Sequence, residues 1–199
     1  MIRPYSIKLL AEDSIALLDA LGIEKVHFAG LSMGGMIAQI VTSEYPQRSL
    51  SLTSVMSSSG NPQLPQASWK ITKQLVSRPD ASNEKAYLEH SLKTWGLIGS
   101  PDYPPTKAEL TERILGSLHR SYSPEGYQHQ AAAILESGDR RNLLKKIKRP
   151  TLVIHGKEDK LALVEAGIDT AKHIDGARLK LIEGMGHDLP RELIPKLVR

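Results

Sequence analysis

Val26-His27-Phe28-Ala29, then Gly30-Leu31-Ser32-Met33-Gly34, then Gly35-Met36-Ile37-Ala38-Gln39-Ile40-Val41 form an apolar run, a G-x-S-x-G turn and a second apolar run at helical spacing. Strand, sharp turn and helix in that order make a nucleophile elbow. The serine must sit on a strained bend, so side chains at the flanking Gly30 and Gly34 are expected to collide with the neighbouring strand and helix. The bend lifts Ser32 Oγ out of the sheet and sets it at a helix N-terminus, whose unpaired N–H groups favour a developing oxyanion.

Outward from this stretch the chain alternates. Residues 6–21 place Leu9, Leu10, Ile15, Leu17, Leu18 and Leu21 at helical spacing and stop at Gly22, which predicts an amphipathic helix covering a sheet. Residues 25–31 read as a near-continuous apolar strand, the pattern of a central strand covered on both faces. The helix after the turn closes at Pro46, and residues 50–56 read as a second strand. Residues 63–148 lose the strand signal. Pro79, Pro101, Pro104, Pro105, Pro124, Gly99 and Gly138 break them into at least four helical segments, with too many apolar residues for a surface linker. They are expected to form a helical insertion, or lid, within a core made of residues 1–62 and 149–199. The alternation resumes with a buried strand at Thr151-Leu152-Val153-Ile154-His155, a helix over 163–174, a strand over 178–182 and a last helix begun at Leu189. The predicted class is α/β, a mostly parallel sheet flanked by helices.

Composition excludes several chemistries. The 199 residues contain no cysteine, so disulfides, thiolate zinc sites and cysteine nucleophiles are ruled out, and a reducing compartment is allowed. Met1-Ile2-Arg3 is followed by no apolar segment of a signal peptide, and no uncharged run is long enough to span a bilayer, so a cytoplasmic protein is expected. The net charge is +4, with cations mixed among anions except at Arg140-Arg141 and Lys145-Lys146-Ile147-Lys148-Arg149. These read as a solvated helix end, not as a nucleic-acid surface.

A serine hydroxyl needs a base, and the base needs an orienting carboxylate. Both types occur just after predicted strands, in His155-Gly156-Lys157-Glu158-Asp159 and Gly186-His187. Residues following the carboxyl ends of parallel strands converge on one crevice, which would let Ser32, Asp159 and His187 meet. His187 is favoured over His155, which precedes the turn glycine, and Asp159 over Glu158, because the loop turns back toward the sheet there. Asp188 and Asp139 read as a loop acceptor and a helix cap. His90, His119, His129 and His173 lie on predicted helices without metal spacing, and His27 reads as a core or strand-end residue.

Gly30-Leu31-Ser32-Met33-Gly34-Gly35, Ile154-His155-Gly156-Lys157-Glu158-Asp159 and Gly184-Met185-Gly186-His187-Asp188-Leu189-Pro190 resemble the three catalytic blocks of the α/β-hydrolase superfamily. The chain most resembles the esterase branch that includes the aclacinomycin methylesterase-like hydrolases. The resemblance runs from about Tyr5 to the end and implies Ser32 as nucleophile, Asp159 as acid, His187 as base and the Met33 backbone N–H as an oxyanion donor. It implies no cofactor or metal, and a small-molecule ester as substrate. Serine at the elbow argues against the branches that use aspartate there.

The chain departs from the pattern at Lys160, Leu161, Ala162 and Leu163, where relatives carry proline. The family's first strands and the loop giving the second oxyanion donor would precede residue 1, so the resemblance implies a partial α/β-hydrolase fold, truncated at its N-terminus. An unpaired sheet edge and self-association through it are expected. Trp69, Tyr87, Trp95, Met33, Met56 and Leu163 are candidates for an apolar substrate pocket, chiefly Trp95, Met56 and Leu163. Ester hydrolysis is the leading expectation; carbon–carbon bond hydrolysis, thioester hydrolysis or an inactive remnant are the alternatives.

Overall fold

The computed structural model describes residues 5–77, 79 and 83–197; expectations about Met1-Ile2-Arg3 and about the last two residues of the final helix fall outside them. In chain order the elements are α1 (Ile7–Ala20), β1 (Val26–Leu31), α2 (Met33–Glu44), β2 (Ser49–Val55), α3 (Trp69–Val76), α4 (Glu84–Ile98), α5 (Lys107–Arg120), α6 (Pro124–Ser137), α7 (Arg141–Leu144), β3 (Thr151–Gly156), α8 (Val164–Lys172), β4 (Arg178–Ile182) and α9 (Ile194–Leu197). Short 3-10 turns cover Pro46–Arg48 and Arg191–Leu193. The chain divides into two compact units. One comprises the described residues up to Pro65, Glu125–His155 and Val164–Ile182. The other comprises Gln66–Pro124, Gly156–Leu163 and the described residues from Glu183 onward.

The first unit is built on a four-stranded sheet in the order β1-β2-β3-β4. The β1–β2 and β2–β3 pairs are parallel, and Leu31, Val55 and Ile154 share one level of the register. Ser32, Met56 and His155, the residues that follow, therefore lie at the same end of the sheet. α1 starts where the Ser6 side chain accepts the Leu9 N–H at 3.2 Å, a cap worth about 1 kcal/mol. It buries Ile7, Ala11 and Ile15 against Ile40 and Val41 of α2 and Ala133 of α6. A second cluster joins Ala38, Leu52, Leu144, Ile147 and Ile174. Residues 63–148 are thus shared: α3 to α5 fall in the second unit, whereas Ala133, Leu144 and Ile147 enter the core of the first.

Two expectations require correction here. β1 is not covered on both faces. Its side chains alternate, with His27, Ala29 and Leu31 exposed and Val26 and Phe28 half-buried, and among the described residues it pairs with β2 alone, at the sheet edge. The apolar run hid this because alanine and glycine read as core whichever way they face. Arg140 is not solvated either. It is only 3% exposed, and its guanidinium donates to the Ser58 carbonyl at 2.7 Å, the Gly138 carbonyl at 3.0 Å and Gln39 Oε1 at 3.5 Å. Burial pulls its pKa down to about 10, so it keeps its charge at neutral pH. Those bonds, with Arg140 N–H to the Ser59 carbonyl at 2.8 Å, tie the segment before α7 to the loop after β2. Charge-assisted hydrogen bonds contribute about 1.5–3 kcal/mol each, so Arg140→Ala is expected to destabilise the protein by about 3 kcal/mol. Urea unfolding measures this; an unchanged midpoint would contradict the assignment.

The second unit is helical. α4 is capped by Asn83, whose side chain accepts the Ala86 N–H at 3.0 Å. α5 begins with a capping box: Thr106 Oγ1 accepts the Glu109 N–H, and Glu109 Oε2 accepts the Thr106 N–H at 2.9 Å. Tyr87 and Tyr122 meet edge to face at 5.6 Å. The loops following β3 and β4 belong to this unit as well.

Candidate active site

In the first unit, Ser32 sits between β1 and α2 with φ of 50° and ψ of −118°, a conformation that costs a non-glycine residue about 1–3 kcal/mol. The surroundings hold it there. Ser32 N–H donates to the Val55 carbonyl at 2.9 Å, and its carbonyl accepts Gly35 N–H at 3.0 Å and Ser57 Oγ–H at 2.8 Å. Met33 is the first residue of α2, so its N–H has no acceptor in a preceding helical turn.

The glycines of the turn differ in role from the expectation. A Cβ on Gly30 would lie 2.1 Å from the Gly34 carbonyl oxygen, which forbids any side chain there. A Cβ on Gly34 would meet nothing within 4 Å, whereas one on Gly35 would lie 2.6 Å from Ser57 Cβ. The second position of the turn that must lack a side chain is therefore Gly35, not Gly34. It is the residue that lets Ser57 reach the Ser32 carbonyl. Gly35→Ala is expected to displace the Ser32 turn and lower kcat by about 100-fold, the cost of a misplacement of about 1 Å, and Gly34→Ala to leave it near wild type. Equal losses in steady-state assays of the two would contradict this.

In the second unit, His187 Nδ1 and Asp159 Oδ2 are 2.7 Å apart. Both residues are buried, at 8% and 3% exposed. Asp159 Oδ1 accepts the N–H groups of Leu161 and Ala162, each at 2.9 Å, so the carboxylate is fixed by its own loop while its other oxygen faces the imidazole. With Nδ1–H donated to this carboxylate, Nε2 carries the lone pair, the tautomer a general base requires. The loops after β3 and β4 are pressed together here. Glu158 N–H donates to the Met185 carbonyl at 3.0 Å, and a Cβ on Gly156 would lie 2.1 Å from that oxygen. The Glu158 side chain points to solvent.

A model of the alpha/beta hydrolase fold matches residues 4–190. The chain belongs to the alpha/beta hydrolase fold family. It is 27% identical over 208 residues to a rhodomycin D methylesterase of Streptomyces peucetius, covering 95% of this chain and 70% of that protein. It is 30% identical to a 3-oxoadipate enol-lactonase of Acinetobacter baylyi, with 92% of this chain and 64% of that one covered. A solved structure of a hydrolase from Pseudomonas aeruginosa superposes with a TM-score of 0.73 at 30% identity, covering 98% and 69% of the two chains. This chain is thus a hydrolase of the α/β fold, similar to proteins about half as long again.

The remaining candidates of this hydrolase fall in varied settings. His155 is fully buried on β3, packed so closely against α8 that a Cβ on Gly167 would lie 2.5 Å from its Nδ1. Met56 directly follows β2 with φ of 43° and is 3% exposed, its N–H bonded to the Ile154 carbonyl at 2.9 Å. Trp95 is half-buried on α4, with the Arg113 guanidinium 4.8 Å over its ring, and Leu163 is half-buried at the end of the Asp159 loop. His119 pairs with Glu84 at 2.6 Å, His173 Nδ1 lies 2.8 Å from the Asp169 carbonyl, His129 packs on Tyr5, and His27 is exposed beside Ser51 Oγ. Burial, with Lys93 nearby, holds His90 below the usual histidine pKa. Among the described residues no three His, Asp or Glu side chains are grouped to hold a metal, and no helix is long and apolar enough to cross a membrane. Sequence reading missed Ser57, one of three serines in a row, where nothing marks the one that turns inward.

Proposed function

We propose that this hydrolase cleaves a carboxylic ester through an acyl-enzyme, with Ser32 as nucleophile, His187 as general base and acid, and Asp159 orienting His187. The observation that carries the reading is the buried Asp159–His187 pair at 2.7 Å, whose carboxylate is fixed by two further backbone hydrogen bonds. A neutral hydroxyl attacks slowly at neutral pH, and a histidine with its Nδ1–H so anchored is the group that removes the proton. The strained Ser32 turn at the N-terminus of α2 supports the other half.

In this mechanism Ser32 Oγ adds to the ester carbonyl while its proton passes to His187 Nε2. The Met33 N–H, at the positive end of α2, stabilises the oxyanion. Collapse breaks the carbon–oxygen bond, and His187 returns the proton to the departing alkoxide. Water then adds to the acyl-Ser32 carbonyl with the same base, releasing the acid and restoring the serine. Asp159 keeps its hydrogen bond to Nδ1 and stabilises the imidazolium. The two named relatives, a methylesterase and a lactonase, both carry ester cleavage in their names and support this class. α3 to α5, with Trp95, together with Met56 and Leu163, are the parts we assign to substrate preference, and the cysteine-free sequence suits a cytoplasmic setting.

Stopped-flow hydrolysis of p-nitrophenyl acetate tests the reading. A burst of nitrophenol equal to the enzyme concentration, followed by slower turnover, is expected where the acyl-enzyme accumulates. No hydrolysis above the buffer rate across acetate, butyrate, methyl-ester and lactone substrates would contradict it.

A further inference from the structure

The loop that carries His187 hangs on the C-terminal end of α4, and one buried pair of side chains closes the attachment. His187 N–H donates to the Ile98 carbonyl at 2.7 Å, one of the carbonyls that the last turn of α4 leaves without a helical partner. Gly186 N–H donates to Ser100 Oγ at 2.8 Å. Asp188 Oδ1 accepts Ser100 N–H at 3.0 Å and Ser100 Oγ–H as well. Asp102 N–H adds a bond to the Gly184 carbonyl at 3.3 Å. The two backbones touch: a Cβ on Gly186 would lie 2.5 Å from the Gly99 carbonyl group.

Residues on both sides of His187 are thus fixed through one hydroxyl. Ser100 Oγ receives Gly186 N–H on one lone pair and gives its proton to Asp188, so the bond before the histidine and the side chain after it are joined through a single atom. Ser100 is 3% exposed and Asp188 7%, so water replaces neither partner at low cost. A carboxyl group is an expensive one to bury merely to end a loop. What it holds in place is the residue next to it.

We propose that Ser100 and Asp188 are a positioning pair for His187, acting through the backbone to keep its imidazole aligned with Asp159. The inference rests on the assignment of His187 as base and adds residues from α4's end to the machinery. Neither side chain performs chemistry. Their work is to hold the Nδ1–H on Asp159 Oδ2 and so keep Nε2 aimed.

Ser100→Ala and Asp188→Ala test the pair, with Asp188→Asn as the conservative control that keeps an acceptor oxygen at Oδ1. The first two are expected to lower kcat on p-nitrophenyl acetate by about 10- to 100-fold with KM changed less than about twofold, as loss of alignment without loss of binding requires. The far-downfield proton resonance of the His187 Nδ1–H···Asp159 hydrogen bond is expected to broaden or vanish in both. Asp188→Asn is expected to keep the resonance and most of kcat. Thermal melts establish that each variant is folded, and should Asp188→Ala not fold, Ser100→Ala carries the comparison. A wild-type kcat and an intact resonance in Ser100→Ala would overturn the proposal, as would an Asp188→Asn no better than Asp188→Ala. His187→Ala, run alongside, separates the two levels: activity retained there would overturn the assignment of the base itself.

Discussion

Ser32→Ala is expected to lower kcat on any ester substrate by about 10⁶-fold, leaving only what substrate binding and the oxyanion donors provide. The size follows from how the groups work. Nucleophile and base act as one unit, so removing either forfeits nearly the whole of what they achieve together. The protein should remain folded, because alanine keeps the same Cβ at φ of 50°, leaving the strain unchanged, and keeps the bonds that the Ser32 backbone makes to Val55, Gly35 and Ser57. Steady-state hydrolysis at high enzyme concentration, with a thermal melt of the variant, measures both. Turnover within about tenfold of wild type would exclude Ser32 as nucleophile.

Asp159→Asn carries a smaller but still large effect, an expected loss of about 10⁴ in kcat. The asparagine would be held by the same two N–H groups of Leu161 and Ala162 at the position of Oδ1, which leaves its amide NH₂ facing His187 Nδ1. An amide donor there demands a lone pair on Nδ1. The imidazole would then carry its proton on Nε2, the wrong nitrogen for removing one from serine. Glu158→Gln, in the exposed neighbouring carboxylate, is expected to change kcat less than about twofold. A reversed order of effects would move the orienting role to Glu158.

Much of this was readable in the chain because the informative signals were local. The Ser32 turn announces itself through glycines bounded by a strand run and a helical run, and the β3 and β4 loops follow a short apolar strand and an alternating one, each followed closely by glycine. Parallel pairing puts strand ends at one level, and the register of Leu31, Val55 and Ile154 shows this for β1, β2 and β3. What escaped was set by packing between distant segments. The exposure of one face of β1 depends on what lies beside the strand, not on its residues. Gly35 matters because of Ser57, and Arg140 is buried because carbonyls at Ser58 and Gly138 converge on it. Asp188 was legible as a loop acceptor. Its donor Ser100 stands 88 positions earlier, at the end of a helix whose local pattern gives no hint of the contact.

The most direct measurement is peptide mapping of the protein after brief exposure to a fluorophosphonate, which reacts quickly only with a serine activated by a base. The account predicts a single adduct on Ser32 at neutral pH, its rate of formation reduced by orders of magnitude in His187→Ala and in Asp159→Asn. An adduct on another serine, equal labelling of wild type and Ser32→Ala, or labelling of Ser32 that is indifferent to His187 would contradict it.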